Sequence, residues 1–219
     1  MKMTKRWLAS ILCGGVSSIV LSAQNPTPHR DCAGLSSLTL PDIKISEAVA
    51  VPAETSGEIR AAHCRVTGVI GTEIRFLLLL PDTRNGKFMM GGGGGFVGMT
   101  DNQAKTTVND GYATVGTDTG HQGEMFDAGW ALDNLERQVN FGYLAVHRTA
   151  ETAKAVVRHY YGTTETRSYF SGCSNGGRQG LMEAQRFPDD FDGIVVGAPA
   201  LDFVGFAAQF VKDIQAVLP

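Results

Sequence analysis

Short apolar segments recur along the chain and predict the strands of a buried sheet. The longest covers 72–80, where alternating polar and apolar residues give way to four consecutive leucines before Pro81. A run that becomes continuously apolar is typical of a strand covered on both faces. The same pattern predicts four further strands, at 87–90, 112–115, 168–171 and 193–196.

Longer segments with helical periodicity predict helices between and after those strands. Apolar side chains recur at helical spacing over 139–160, and Gly162 follows where a helix C-cap favours glycine. A second helix is predicted over 176–187, where Pro188 ends it, and a last one over 201–218. Strands that alternate with helices favour an α/β fold with a mainly parallel sheet flanked by helices.

The N-terminal segment has the layout of a secretory signal peptide. Basic residues precede a largely apolar stretch at 7–21, and Ala23 ends a run of small residues suited to cleavage. The apolar stretch is shorter than the ~20 residues that a membrane-spanning helix needs. We therefore expect a signal peptide at 1–23 and a mature chain at 24–219 that is secreted or periplasmic, without membrane association after cleavage.

The amino-acid composition restricts the classes of protein to which this chain can belong. The chain has 219 residues, of which 43% are hydrophobic, enough for the core of one globular domain. Nineteen Lys and Arg residues against 22 Asp and Glu residues leave a net charge of -3, so there is no basic surplus for binding nucleic acid. The 27 glycines indicate tight turns or close approaches of the backbone to a ligand.

Three cysteines would stay in the mature chain. Cys32 and Cys64 lie in the same N-terminal segment and can close a disulfide loop worth roughly 3 to 4 kcal/mol. Cys173 is then without a partner, and an odd count in an oxidising compartment requires an explanation.

The strongest chemical signal is a G-x-S-x-G motif between a predicted strand and a predicted helix. It reads Gly172-Cys173-Ser174-Asn175-Gly176. A serine on a very sharp strand-to-helix turn needs glycines two residues before and after it, because side chains there would collide with the strand and the helix. The motif predicts Ser174 as a nucleophile.

A serine nucleophile also needs donors for the oxyanion that forms on the attacked carbonyl. The backbone N–H of Asn175, directly after the serine, is one candidate. The second donor is expected in a glycine-rich loop after an earlier strand, and five glycines follow the predicted strand at 87–90. We predict the backbone N–H of Gly93, at the centre of that run.

The residues around Ser174 resemble the tannase and feruloyl esterase family. The resemblance is carried by GCSNGGRQGLMEAQRFP at 172–188, by FDGI at 191–194 and GAPA at 197–200, and upstream by TDTGH at 117–121 with FGY and VH at 141–147. It covers roughly residue 32 to the end. It implies an α/β-hydrolase-like fold and hydrolysis of aromatic or hydroxycinnamic acyl esters through an acyl-enzyme. It also implies that Cys173 forms a disulfide with a cysteine next to the catalytic histidine.

The acid and base of a serine hydrolase are missing from their usual places. In α/β-hydrolases the triad runs Ser, acid, His along the chain, yet no histidine follows Ser174, and the first aspartates after it precede the next predicted strand. We expect the acid, the base and the partner of Cys173 beyond Pro219. Residues 24–219 would then be a partial catalytic domain, truncated before the last strands and the lid domain.

A rival set of catalytic groups lies upstream. His121 follows a predicted strand and stands three residues after Asp118, so both could serve Ser174; the family resemblance instead makes this loop structural or pocket-lining. His147 is predicted to be a buried, hydrogen-bonded residue of the long helix.

Polar residues of the helix after the motif are assigned less specific roles. Arg178 and Gln179 are equally suited to satisfying local backbone and to contacting substrate. Glu183, Asp189 and Asp190 are predicted to face solvent. The sequence has no metal-ligand motif, so no cofactor is expected, although the resemblance allows a calcium ion in the lid domain.

The sequence thus predicts a serine carboxylic ester hydrolase that acts on small-molecule esters, with Ser174, Asn175 and Gly93 as its site. Two alternatives stay open. One is another serine hydrolase, such as a polyester depolymerase; the other is an inactive fragment or a non-catalytic binding module on the same fold.

Overall fold

The computed structural model describes residues 27–218, so the predicted signal peptide at 1–23 lies outside the described residues. Within this part, seven strands form one sheet: β1 Ile43–Val51, β2 His63–Ile70, β3 Ile74–Pro81, β4 Lys87–Gly91, β5 Ala113–Thr117, β6 Arg167–Cys173 and β7 Gly193–Gly197. The α-helices are α1 Leu135–Val139, α2 Ala145–Tyr161, α3 Asn175–Arg186 and α4 Phe203–Val217. A π-helical turn, Asn140–Leu144, joins α1 to α2.

The strand order is β1-β2-β3-β5-β4-β6-β7. The half from β5 to β7 is parallel, whereas β1, β2, β3 and β5 pair in antiparallel fashion. The predicted α/β-hydrolase-like sheet flanked by helices is confirmed, but the sheet is mixed rather than mainly parallel. The difference comes from β1 and β2, which the sequence pattern did not predict, and from β3, which was predicted but pairs with β5 in antiparallel fashion.

The two unpredicted strands have local features that hide their periodicity. A register shift between Ile45 and Glu47 breaks the alternation in β1. In β2, Gly68 packs directly against both neighbouring strands. A β-carbon there would lie 2.7 Å from the Phe76 ring and 2.7 Å from the Lys44 carbonyl oxygen. Glycine is unfavourable in strands, so only the tertiary contacts explain this residue.

Helix α2 covers the antiparallel half of the sheet with the face that its periodicity predicts. Its apolar side chains are buried in the same core as the large residues of the strands: Val146, Ala150, Ala153, Val157 and Tyr160. Gly162 is the C-cap at φ 70°, in the left-handed region that glycine adopts freely. None of the helices among the described residues has the length and apolar character that crossing a bilayer requires.

The predicted disulfide between Cys32 and Cys64 is present. It joins the segment before the first short helical turn, Ala33–Ser37, to β2, with a Cα–Cα distance of 5.6 Å. Both cysteines are buried in the core. The cross-link therefore ties the N-terminal segment to the antiparallel half of the sheet.

The parallel half determines where the site lies. Strands β4 and β6 are hydrogen-bonded neighbours, and their last paired residues are Gly91 and Ser171. Since both strands run in the same direction, the glycine run after β4 and the serine motif after β6 leave the sheet at the same edge. This edge is where open α/β sheets bind their ligands.

Candidate active site

Ser174 occupies the sharp turn between β6 and α3. Its backbone has φ 59° and ψ -121°, a conformation that a residue with a side chain rarely adopts and that is strained. The turn is held by its own backbone: the Ser174 N–H donates to the Gly197 carbonyl at 3.0 Å, and its carbonyl accepts from Arg178 N and Ala200 N, each at 3.1 Å. The side chain is exposed. A strained turn that presents an exposed hydroxyl is the geometry that the motif requires.

The motif glycines are needed because backbone passes directly against them. A β-carbon on Gly172 would lie 2.4 Å from the carbonyl oxygen of Gly176, and one on Gly176 would lie 3.2 Å from Cα of Gly92. Gly177 is similarly close to the carbonyl oxygen of Gly197, at 2.5 Å. The steric reason for the G-x-S-x-G spacing is therefore visible in the fold.

The glycine run after β4 packs against this turn, but Gly93 is not free to act as a donor. Gly93 is buried, and its N–H donates to Oε1 of Gln179 at 3.0 Å. Its carbonyl accepts from Nδ2 of Asn175 at 3.1 Å. This pairing contradicts the choice of Gly93 as an oxyanion donor. The next residue, Gly94, is partly exposed, and its N–H makes no hydrogen bond to any described residue.

A large apolar cleft opens beside Ser174. Its volume is about 650 Å³, and its polar end contains Ser174, Asn175 and Gly94. The remaining walls are mostly aromatic and aliphatic, and half of them come from α4: Gly95, Phe96, Met125, Phe126, Ala200, Phe203, Phe206, Ala207, Phe210 and Ile214. A mostly apolar cleft with a few polar groups at one end is typical of a small-molecule site.

Gln103 is a residue of this region that the sequence analysis missed. Its side-chain Oε1 accepts from the N–H of Cys173 at 2.6 Å, and its Nε2 donates to the Cys173 carbonyl at 3.2 Å. Its own backbone N–H donates to the Gly92 carbonyl at 3.0 Å. One residue thus links the serine turn to the glycine run. It lies in a loop outside any motif, so no sequence signal points to it.

Arg178 satisfies backbone groups rather than facing the cleft. It is buried, and its guanidinium donates to Oδ1 of Asn175 and to the carbonyls of Phe141 and Gly142, at 2.8 to 2.9 Å. Burial lowers the pKa of Arg178 to about 10. Arg178 and Gln179 therefore bind backbone groups, but of segments distant in the chain rather than local ones. Gln179 binds the glycine run, and Arg178 binds the turn preceding α2.

The rival upstream set is not assembled. His121 is buried, its Nε2 lies 2.8 Å from the Phe96 carbonyl oxygen, and its ring stacks on Trp130 at 3.8 Å. Burial lowers the pKa of His121. The carboxylate of Asp118 accepts instead from the backbone of Arg75 and Gly120 and from Gln122. No hydrogen bond among the described residues joins Asp118 to His121 or His121 to Ser174.

A second group of titratable side chains lies between α2 and α3. The prediction that Glu183 and Asp190 face solvent is wrong: Glu183 is 0% exposed, and Asp190 Oδ2 lies 2.7 Å from Nδ1 of His147. His147 is hydrogen-bonded, as predicted. Burial, with the nearby Asp190 carboxylate, raises the pKa of Glu183.

These three groups have ligand atoms within 4.8 Å of one another, which is a possible donor set for a metal ion. The ammonium of Lys154, however, donates to the Asp190 carbonyl and already brings positive charge to the group. None of the four residues lines the cleft.

Cys173 carries a free and exposed thiol next to Ser174. The disulfide that the resemblance implies for it has no partner among the described residues and stays a prediction.

The α/β sheet and the serine turn together define an α/β-hydrolase-like protein. A family model described as "Tannase and feruloyl esterase" matches residues 59–218. The chain therefore belongs to the tannase and feruloyl esterase family.

Its relatives include a probable feruloyl esterase of Arthroderma benhamiae, 42% identical over 65% of this chain and 29% of the relative. Another is a mono(2-hydroxyethyl) terephthalate hydrolase of Piscinibacter sakaiensis, 35% identical over 68% of this chain and 29% of the relative. Among solved structures, an esterase from Aspergillus oryzae superposes with a TM-score of 0.76 at 28% identity, over 83% of this chain and 40% of that one. The chain thus spans about a third of the length of the curated relatives it matches.

Proposed function

We propose that this chain is part of a serine carboxylic ester hydrolase that acts on esters of aromatic acids through an acyl-enzyme on Ser174. The observation that carries the proposal is the strained, exposed Ser174 in a mostly apolar cleft that Asn175 and Gly94 also line. Family membership supports an ester hydrolase. The buried Cys32–Cys64 disulfide supports a secreted or periplasmic protein, because such cross-links persist in oxidising compartments.

In this proposal the Ser174 hydroxyl attacks the ester carbonyl while a general base takes its proton. The negative charge that develops on the carbonyl oxygen is stabilised by the N–H groups of Asn175 and Gly94. Asn175 is the first residue of α3, so its N–H has no partner within the helix. The alcohol leaves with a proton from the same base, and water then releases the aromatic acid and restores Ser174.

The base of this proposal lies outside the 219 residues. No histidine follows Ser174 in the sequence, and His121 is engaged by Phe96 and Trp130. The proposal assigns the acid, the base and the disulfide partner of Cys173 to residues that are not among these 219. The small share of each relative that the chain matches is consistent with this expectation.

The decisive experiment is covalent labelling with a fluorophosphonate. The product of the complete reading frame should be labelled, and Ser174→Ala should abolish the labelling. Ser171→Ala is the matched control: Ser171 lies three residues earlier, in β6, and its hydroxyl makes no hydrogen bond to described residues, so labelling should persist. Labelling that survives Ser174→Ala would refute the nucleophile assignment.

The substrate class is then determined by comparing the turnover of different esters. Methyl ferulate, methyl gallate and mono(2-hydroxyethyl) terephthalate are all esters of aromatic acids and should be compared with an acetate ester and a peptide ester. A preference for the aromatic esters supports the proposal. A complete gene product that is neither labelled nor active would favour the alternative of a non-catalytic binding module.

A further inference from the structure

Two side-chain amides hold the Gly93 backbone from opposite ends. Gln179 Oε1 accepts its N–H at 3.0 Å, and Asn175 Nδ2 donates to its carbonyl at 3.1 Å. Both side chains belong to α3 and are almost completely buried, at 3% and 1% exposure. A run of five glycines has no side chains of its own to restrict it and is the most flexible type of backbone. These two contacts therefore determine how the glycine run is oriented.

The orientation of the Asn175 amide is itself determined by a neighbour. Arg178 Nε donates to Asn175 Oδ1 at 2.9 Å. Because a guanidinium only donates hydrogen bonds, the oxygen of Asn175 must face Arg178 and its NH₂ group must face the Gly93 carbonyl. Arg178 is in turn anchored on the carbonyls of Phe141 and Gly142.

The contact with the Gly93 carbonyl also orients the next amide. In a trans peptide the C=O of one residue and the N–H of the next point in opposite directions, and the described chain has no cis peptides. With its carbonyl directed to the buried Asn175 amide, the Gly93–Gly94 peptide must direct the Gly94 N–H the other way. Gly94 lines the cleft together with Ser174, whereas Gly93 is buried.

We propose that the side chains of Asn175 and Gln179 are positioning residues that hold the Gly93–Gly94 peptide so that the Gly94 N–H faces the reacting carbonyl oxygen. This inference rests on the proposed function. It gives Asn175 two separate roles, its backbone N–H as a direct donor and its side chain as the group that orients the other donor. Gln179 acts through Oε1 alone, since its Nε2 has no partner among the described residues.

The first test compares isosteric variants in the product of the complete reading frame, with active enzyme counted by fluorophosphonate titration. Asn175→Asp keeps the acceptor for Arg178 but removes the donor to Gly93. We expect kcat to fall about 10- to 100-fold with KM changed less than about twofold, since losing one oxyanion donor costs about 100-fold or more. Gln179→Met, which removes the acceptor, should act in the same direction.

The control for added charge is Gln179→Glu, which places a carboxyl group beside the same loop but keeps the acceptor for the Gly93 N–H. As the conservative variant that keeps this hydrogen bond, it should retain more activity than Gln179→Met. Gln185→Glu, on the exposed side of α3, is a second control and should change nothing. If Asn175→Asp and Gln179→Glu slow the enzyme equally, the effect is one of charge and the positioning role is refuted.

The second test does not depend on activity. In the free protein, hydrogen exchange measured by NMR should show the Gly93 amide exchanging at least about tenfold more slowly than the Gly94 amide. Gln179→Met should remove this protection, and Gln179→Glu should preserve it. The reverse order of exchange would overturn the proposal. If the wild-type protein is neither labelled nor active, the proposed function has failed, and the exchange rates alone decide whether the two amides hold the loop.

Discussion

The packing of the serine turn is tested most directly by Gly172→Ala. The added methyl group would lie 2.4 Å from the Gly176 carbonyl oxygen, 2.5 Å from its carbonyl carbon and 2.9 Å from its Cα. Ordinary contacts of this kind are about 3.5 Å or longer, and all three atoms belong to the backbone at the start of α3. The clash cannot be relieved by a side-chain rotation, so β6 and α3 must separate.

The magnitude follows from this geometry and from a matched control. Overpacking against fixed structure costs about 1–3 kcal/mol. Gly142→Ala is the control, because a β-carbon there meets nothing within 4 Å and φ is not in the left-handed region. In a helical turn this substitution should be neutral or stabilise the protein by up to about 1 kcal/mol. The two variants should therefore differ by about 1–4 kcal/mol.

The assay is urea unfolding at equilibrium, with m-values compared to confirm that the three proteins unfold in the same way. Fluorophosphonate labelling of the complete gene product provides the functional readout, and Gly172→Ala should label more slowly because the turn is displaced. If Gly172→Ala and Gly142→Ala have the same free energy of unfolding within about 0.5 kcal/mol, then Gly172 and Gly176 do not pack as closely as described.

Two further predictions concern stability. Replacing Cys32 and Cys64 together by alanine should lower the free energy of unfolding by about 3.7 kcal/mol, from the loop entropy of a 32-residue separation, and a loss below about 1 kcal/mol in urea unfolding would contradict this. For Glu183, the raised pKa means that the folded state holds its proton at a pH where the unfolded state has lost it, so stability falls as pH rises above 4.5, by at most about 1.4 kcal/mol per pH unit. Glu183→Gln cannot titrate and should gain stability relative to wild type as pH rises; parallel curves for the two proteins would exclude a raised pKa. Titrating groups that do not contact Glu183, such as Asp118, whose pKa burial raises to about 6, are present in both proteins and cancel in the comparison.

The parallel half of the sheet was predictable because its strands are short, apolar and bounded by glycine or proline. β4 and β7 each lie within one residue of their predicted bounds, and α3 within one residue of its own. In the antiparallel half, β3 was predicted but β1 and β2 were not, because the bulge in β1 and Gly68 in β2 interrupt the alternation that identifies a strand. Both features are satisfied only by contacts with neighbouring strands.

The residues of the candidate site also divide into those that the sequence predicts and those that it does not. Ser174 was identifiable from sequence because the motif states a local steric requirement that glycine at 172 and 176 satisfies. The choice among the glycines after β4 was not, since five adjacent glycines are equivalent as sequence. Gly93 and Gly94 differ only in what lies opposite them, which is Gln179 for one and the cleft for the other.

The burial of Glu183 could not be predicted from the local sequence. Glu183 and Asp190 were predicted to face solvent, as charged side chains usually do. His147, Glu183, Asp190 and Lys154 come together only when α2 packs beside α3. The complete burial of Glu183 and the partial burial of the other three are therefore properties of the fold.

By itself, then, the sequence determined the serine turn, the α/β order of the later elements and the pairing of Cys32 with Cys64, because each depends on local sterics or on a simple count. The tertiary structure alone decided which glycine of the run is hydrogen-bonded to Gln179, which charged side chains are withdrawn from solvent and how the first strands complete the sheet. Those outcomes depend on contacts between residues far apart in the chain, and the pattern along the chain does not encode such contacts locally.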